Sequence, residues 1–304
     1  MKEKTQYMIV TDSSSDISLE EAEEKNITLV PFYISLDGKD YLKEAVQLGI
    51  RELYEKMVAD PSLFPKTSTP SVQDYIDAFL PILDSGKDVL CICISQSFSG
   101  SYQSAINAQK LVLDDYPHRK ITIIDSAMAT VLQGLLVMEA SAMAKNGVPY
   151  DKAVACINKL RSTGRIFFTI GDLEYLKHGG RIGKLKSIAG GILKIRPVLT
   201  LKDGEIISSG VARSGGKAQE KVISLLKDYL LEEEEELKSY SFALGFGYDY
   251  LEVLDFKEKF MASFHKDNNL KRVSIMQIGA TIGVHIGPNS LGVAIIKRYE
   301  DFIE

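Results

Sequence analysis

The sequence predicts an α/β fold in two parts: an N-terminal α/β domain on a parallel sheet, then a second domain of α+β type. Three observations carry this reading. Apolar strand-like runs alternate with helical patterns from Tyr7 to Lys145, the order loosens and a hairpin appears after Tyr150, and 304 residues are long for one core. The expected boundary lies near residue 157, giving units 1–157 and 158–304.

The first apolar run, Tyr7 to Val10, ends in the polar loop Thr11-Asp12-Ser13-Ser14-Ser15-Asp16, and Ser18 with Glu21 three residues on forms a capping box for a helix. Ile27 to Ser35 is rich in strand formers, Asp37-Gly38 reads as a turn, and Ile50 to Val58 is amphipathic. In Pro65-Lys66-Thr67-Ser68-Thr69-Pro70, Thr69 suits an N-cap and Pro70 the first helical position, which puts Thr67 and Ser68 just ahead of a helix. Asp88 to Ser95 is a strand that closes in the hydroxyl-rich turn Ser97-Phe98-Ser99-Gly100-Ser101. A helix with Ala105, Ala108, Leu111 and Val112 on one face follows, then a strand at 120–125 and a helix at 129–145. The later half reads as helix 150–162, strand 165–170, a short segment to His178 before Gly179-Gly180-Arg181, and a hairpin turning at Lys202-Asp203-Gly204. Helix 216–230, strand 240–245, helix 250–264 and strand 273–279 complete it. The run Glu232 to Glu236 is expected to be a solvated helix face.

Composition narrows the function classes. A net charge of -5 and a pI near 5.6 give no overall attraction to nucleic acid or anionic lipid. Cys91, Cys93 and Cys156 read as core thiols of a reducing cytoplasm, the first two expected on opposite faces of one strand. The N-terminus lacks a signal-peptide pattern, and apolar runs stay short of a membrane span, so a soluble cytoplasmic protein is expected.

In a parallel sheet, ligands bind beyond the carboxyl ends of the strands, where Asp12, Ser95 to Ser101 and Asp125-Ser126 are expected. The two hydroxyl turns at Thr67-Ser68 and Ser97–Ser101 suit one anionic head group, because helix N-termini leave N–H groups unpaired and partly positive; simple helix capping is the alternative. A serine hydrolase is disfavoured, since Ser97 and Ser99 lack the Gly-x-Ser-x-Gly spacing of a nucleophile elbow. Of the four histidines, His118 and His265 sit in polar segments. No metal-ligand spacing or Walker pattern is present, and Gly179–Gly183 is too short and wrongly placed for a dinucleotide fingerprint. His285, between Gly283 and Gly287, either faces a cleft where it can donate to a carboxylate or is satisfied by local backbone. Arg181 either clamps an anion or pairs with an acid, and Arg213 reads as solvent-exposed.

Six segments in order resemble the DegV family of fatty-acid-binding proteins, which includes the acyl-binding subunit of bacterial fatty acid kinase. They are Thr11-Asp12-Ser13, Lys66–Ser71, Ser95–Ala105, Asp125-Ser126, Leu176–Ile182 and His285-Ile286-Gly287-Pro288, and the likeness they carry extends over nearly the whole chain. Thr69 and Asn289 depart from the family's usual Gln and Gly. The resemblance implies a long-chain fatty acid in a tunnel between the domains, with its carboxylate held by Thr67, Ser99 and His285. It implies Ser68 and Gly100 as donors beside them, Arg181 as support, and Arg213 as a contact for the kinase catalytic subunit. It further implies a carrier that is not itself an enzyme, needs no cofactor or metal, and feeds acyl phosphate to phospholipid synthesis. An acyl-ester or acyl-phosphate hydrolase using Ser99 and His285, and a lipid-sensing regulator, are the alternatives.

Overall fold

The computed structural model describes residues 6–187, 195–234, 237–264 and 273–303. The chain opens with β1 (Tyr7–Asp12), α1 (Leu19–Lys25), β2 (Ile27–Val30), β3 (Tyr33–Ser35), β4 (Leu42–Lys43), α2 (Ile50–Ala59), β5 (Lys66–Ser68) and α3 (Val72–Asp84). It continues through β6 (Asp88–Cys93), α4 (Ser101–Leu113), β7 (Ile121–Asp125), α5 (Thr130–Lys145), α6 (Tyr150–Leu160), β8 (Arg165–Thr169) and α7 (Glu174–His178). The rest is β9 (Arg196–Lys202), β10 (Glu205–Ala212), α8 (Gly215–Glu233), β11 (Tyr240–Phe246), α9 (Tyr250–Ser263), β12 (Val273–Gln277), α10 (Ala280–Ile286) and β13 (Leu291–Lys297).

The expected parallel sheet is present, in the order β2-β1-β6-β7 with every pair parallel. A six-stranded sheet, β10-β9-β8-β13-β11-β12, is antiparallel except for β11 with β12, and β4-β3-β5 is a small antiparallel sheet. Helix α5 links the two large sheets. It is apolar almost all round, as a helix buried on every side must be, and it packs on β1 as well as on β11 and β13. Gly134 permits the close approach, since a Cβ there would lie 2.5 Å from the carbonyl of Ser15. One continuous core therefore runs from Ile9 and Leu90 through α5 to Phe168 and Ala294, and residue 157 falls within α6.

Asp12, at the end of β1, is buried where this core meets the first polar loop. Its carboxylate accepts from the amide of Ile94 at 3.0 Å, Ser101 Oγ at 2.7 Å, Gln133 Nε2 at 2.9 Å and the hydroxyl of Ser14. These donors come from the end of β6, the start of α4 and α5.

Several sequence expectations shift. Thr67 and Ser68 lie in β5, paired with β3, because the helix start is taken by Ser71, whose capping box with Asp74 uses a 3.1 Å and a 2.8 Å bond. Leu111 is 61% exposed: Ala105, Ala108 and Val112 share the inward face at helical spacing, and Leu111 turns away from it. Cys91 and Cys93 share one face, as residues two apart in a strand do, with their sulfurs 3.7 Å apart. The segment 280–297 yields a helix and the strand β13, which lies inside the mixed sheet and is buried on both faces. His265 and the end of the Glu232–Glu236 run lie outside the described residues. Among the described residues, no helix is long and apolar enough to cross a membrane, and no cluster of His, Cys, Asp or Glu is placed to hold a metal.

Removing the Asp12 carboxylate leaves buried donors from three elements unpaired, so Asp12→Ala is expected to cost about 3 kcal/mol or more. Urea unfolding should show the loss as a lower midpoint at unchanged slope.

Candidate functional site

Where the carboxyl ends of the parallel sheet face the mixed sheet, the molecule holds a largely apolar cavity with an open mouth. Its wall is mainly hydrocarbon, from Ile94, Val131, Ile166, Phe168, Leu201 and Ile282 among others. Gly245 and Gly292, paired across β11 and β13, bring bare backbone to the same wall.

Polar groups gather where β5, the loop after β6, α7 and α10 meet. Thr67 reaches the cavity because β5 pairs with β3, Ile34 opposite Thr67. Thr69, two residues on, also lines it, whereas Ser68 is exposed and outside the lining, as strand alternation requires. Ser99 lies in the loop ahead of α4, and its Oγ accepts from the amide of Ser101 at 3.2 Å. Gly100, the N-cap of α4, faces an outer polar pocket that shares Phe98, Ser99, Arg181 and Ile206 with the cavity.

His285 stands in the last turn of α10, with Nε2 3.0 Å from Thr67 Oγ1. Its Nδ1 is buried without a partner. A bare lone pair there costs less than an unpaired N–H, so we assign the proton to Nε2, donating to Thr67. The Thr67 hydroxyl hydrogen is then left to point at a ligand. Burial chiefly, with the nearby Arg181 charge adding, pushes the His285 pKa down to about 4, so the imidazole is neutral at pH 7.

The Gly179-Gly180-Arg181 segment is shaped by this histidine. A Cβ on Gly179 would lie 2.1 Å from Nδ1, so only glycine fits against the ring. Gly180 takes a left-handed φ of 70°, which turns Arg181 back across the mouth. Arg181 Nε donates to the carbonyl of Phe98 at 3.0 Å and Nη1 to that of Gly179 at 2.8 Å. Both bonds go to carbonyls, and among the described residues no acid pairs with its charge. Arg213 is exposed beyond the end of β10 and lies outside the cavity lining.

The structure thus brings Thr67, Ser99, Arg181 and His285 to one cavity, and leaves Ser68, Gly100 and Arg213 outside its lining. Thr69, which the sequence suggests only as an N-cap, and Thr130 and Thr281 line it as well. Of these, only Thr69 had a usable signal, its spacing of two from Thr67. No hydrogen bond joins Ser99 to His285 among the described residues.

Fold and site together define an α/β protein with two large sheets and a small third one, built round an apolar cavity with a polar end. The chain belongs to the DegV family of uncharacterised proteins, whose pattern matches residues 6–298. A DegV domain-containing protein of Staphylococcus aureus strain N315 is 30% identical over 296 residues, covering 97% of this chain and all of its own length. A stearic acid-binding protein from Eubacterium ventriosum has a similar crystal structure, with a TM-score of 0.91, 40% identity, and 97% of this chain and 99% of that one covered. A fatty-acid-binding DegV family protein from Thermus thermophilus gives a TM-score of 0.85 at 28% identity, covering 96% and 99%.

The His285 shift has a defined sign in acid. Its folded pKa of about 4 lies below the usual 6.5, so the unfolded chain takes up a proton that the folded chain refuses. The His285 contribution to stability is complete above pH 6.5 and lost progressively as pH falls towards 4. His285→Gln should flatten this part of the profile, seen in Tm values measured for both proteins at pH 7.5 and pH 4.5. In concrete terms, the parent's Tm should fall further between those two pH values than the variant's.

Proposed function

We propose that this chain binds a long-chain fatty acid, its tail in the apolar cavity and its carboxylate at the Thr67, Ser99 and His285 end. The observation that carries the reading is the cavity's division into a hydrocarbon wall and one polar end of neutral hydroxyls, a neutral imidazole and an arginine that bonds to backbone carbonyls. Each buried methylene contributes about 0.8 kcal/mol, so a long tail supplies affinity while the polar end sets direction. The fatty acids named for the Eubacterium ventriosum and Thermus thermophilus proteins support the ligand class.

We further propose that the chain is a carrier that presents the carboxylate to a fatty acid kinase catalytic subunit, whose acyl phosphate product enters phospholipid synthesis. The polar end opens beside the outer pocket at Arg181, which gives a second protein access to the head group. Arg213 serves as a docking contact in this reading, and the units 1–157 and 158–304 each contribute part of the wall. A hydrolase is disfavoured because Ser99 Oγ is engaged with the Ser101 amide and His285 faces Thr67.

Native mass spectrometry of the purified chain should show a copurified acid, and Thr67→Val with His285→Ala should weaken stearate binding at least about tenfold. A chain that rejects stearate, palmitate and oleate alike overturns the reading. For the carrier role, Arg213→Glu should leave stearate affinity unchanged and abolish ATP-dependent phosphorylation by an added fatty acid kinase. Equal phosphorylation of both forms would remove Arg213 from the interface.

A further inference from the structure

Two carboxylates hold the opposite end of the helix that carries His285. Asp16 lies in the loop between β1 and α1, Glu44 directly follows β4, and both are buried. Asp16 Oδ1 accepts from the amide of Gly279 at 2.9 Å, and Oδ2 takes the hydroxyl of Thr130. Glu44 Oε1 accepts from the amide of Thr281 at 2.9 Å, while Oε2 takes the Thr281 hydroxyl at 2.6 Å and that of Ser13. Gly279 is the N-cap of α10, and a Cβ there would lie 2.8 Å from Glu44 Oε1 and 2.9 Å from Asp16 Oδ1. Only glycine admits both oxygens.

Helix α10 has seven residues, with Gly283 inside it, so little of its stability is its own. Its place is set by what it touches. Tyr54 of α2 packs against Gly283 and donates to the carbonyl of Ile278 at 3.0 Å, which fixes the side of the helix, while the two carboxylates fix its start. His285 lies four residues beyond Thr281, about 6 Å along the axis, so a shift at the start is carried to the imidazole.

We propose that Asp16 and Glu44 are positioning residues, a buried clamp that sets where α10 stands and thereby holds His285 Nε2 against Thr67. The clamp has a second effect on the same site. Thr130 and Thr281 line the cavity, and both direct their hydroxyls to the clamp, so that stretch of wall offers no free hydroxyl to a hydrocarbon tail.

The affinity readout rests on the fatty-acid reading; the imidazole readout does not. In Glu44→Ala, the NMR titration of His285 should move up from about 4 by about one unit as the ring leaves its buried place, and stearate should bind about tenfold more weakly. Glu44→Gln keeps an acceptor for the Thr281 amide and should restore both. Leu226→Ala, in the separate core on the far side of the mixed sheet, serves as a control that lowers Tm without moving either readout. If Glu44→Ala does not fold, Thr281→Val removes the 2.6 Å bond and should move the His285 titration the same way, the readout that does not depend on Thr281 lining the cavity. The clamp is overturned if the folded variant leaves the His285 titration in place, or if Leu226→Ala shifts it equally. Failure of the parent chain to bind stearate would sink the fatty-acid reading, and the titration would still decide the clamp.

Discussion

The burial of Asp12 is the constraint on which the architecture turns. Desolvation alone would make a carboxylate at the centre of a domain expensive, and it raises the Asp12 pKa, while bonds from Ser14, Gln133, Ser101 and Ile94 pull it back. Those donors lie far apart in sequence, so the group is satisfied only when β1, β6, α4 and α5 are in their final relation. Through Gln133 the same carboxylate is tied to α5, the helix that also packs on the mixed sheet. Through Ser101 it fixes the start of α4, and hence the loop that presents Ser99.

The polar end of the cavity works by withholding charge from one group and leaving it on another. His285 is denied its proton by burial and by Arg181, so it acts as a neutral donor whose single N–H is spent on Thr67. Arg181 lies nearer to water and, among the described residues, has carbonyls as its partners. An anion entering this end would find an oriented hydroxyl and an unmatched cation, and would draw the imidazole pKa upward by its own field. Much of this geometry depends on positions without side chains. Gly179 makes room for the ring, and Gly180 supplies the backbone turn that returns Arg181 to the mouth.

The alternation of strands and helices in the first half was legible because most elements there carry their own period, and α1 its own cap, as Ser18 shows; the cap of α3 falls on Ser71, two residues past the Thr69 that the sequence suggests. The second half was less so. Gly279, Gly283, Gly287 and Gly292 give residues 279–292 the look of a loop, yet Gly283 is inside a helix because Tyr54 occupies the space of its side chain. Local propensity reports none of this, since the reason is a ring more than two hundred residues away. Thr67 is legible as part of a hydroxyl-rich turn just ahead of a helix, but not as a strand residue, because β5 exists only through pairing with β3. Ser68 was drawn in as its neighbour, and the pairing turns it outward. The Cys91 and Cys93 placement was an error of period, independent of any tertiary effect.

A site proposed to receive an anion is surrounded by buried acids, and the way the chain handles them completes the logic of the first polar loop. Asp12, Asp16 and Glu44 all have pKa values raised by burial, with Asp16 raised further by Glu44. Each is enclosed by N–H and O–H donors from the elements it joins. Enclosure spends their lone pairs on structure, and the donors turned towards each carboxylate offset part of the negative field that would otherwise oppose a carboxylate in the cavity. The loop from Thr11 to Asp16 thus places one acid under the Ser99 loop and another under the His285 helix. A hydroxyl at either place could accept a bond but could not gather several donors at once, which is why short acidic side chains stand there in a protein whose site has no use for their charge.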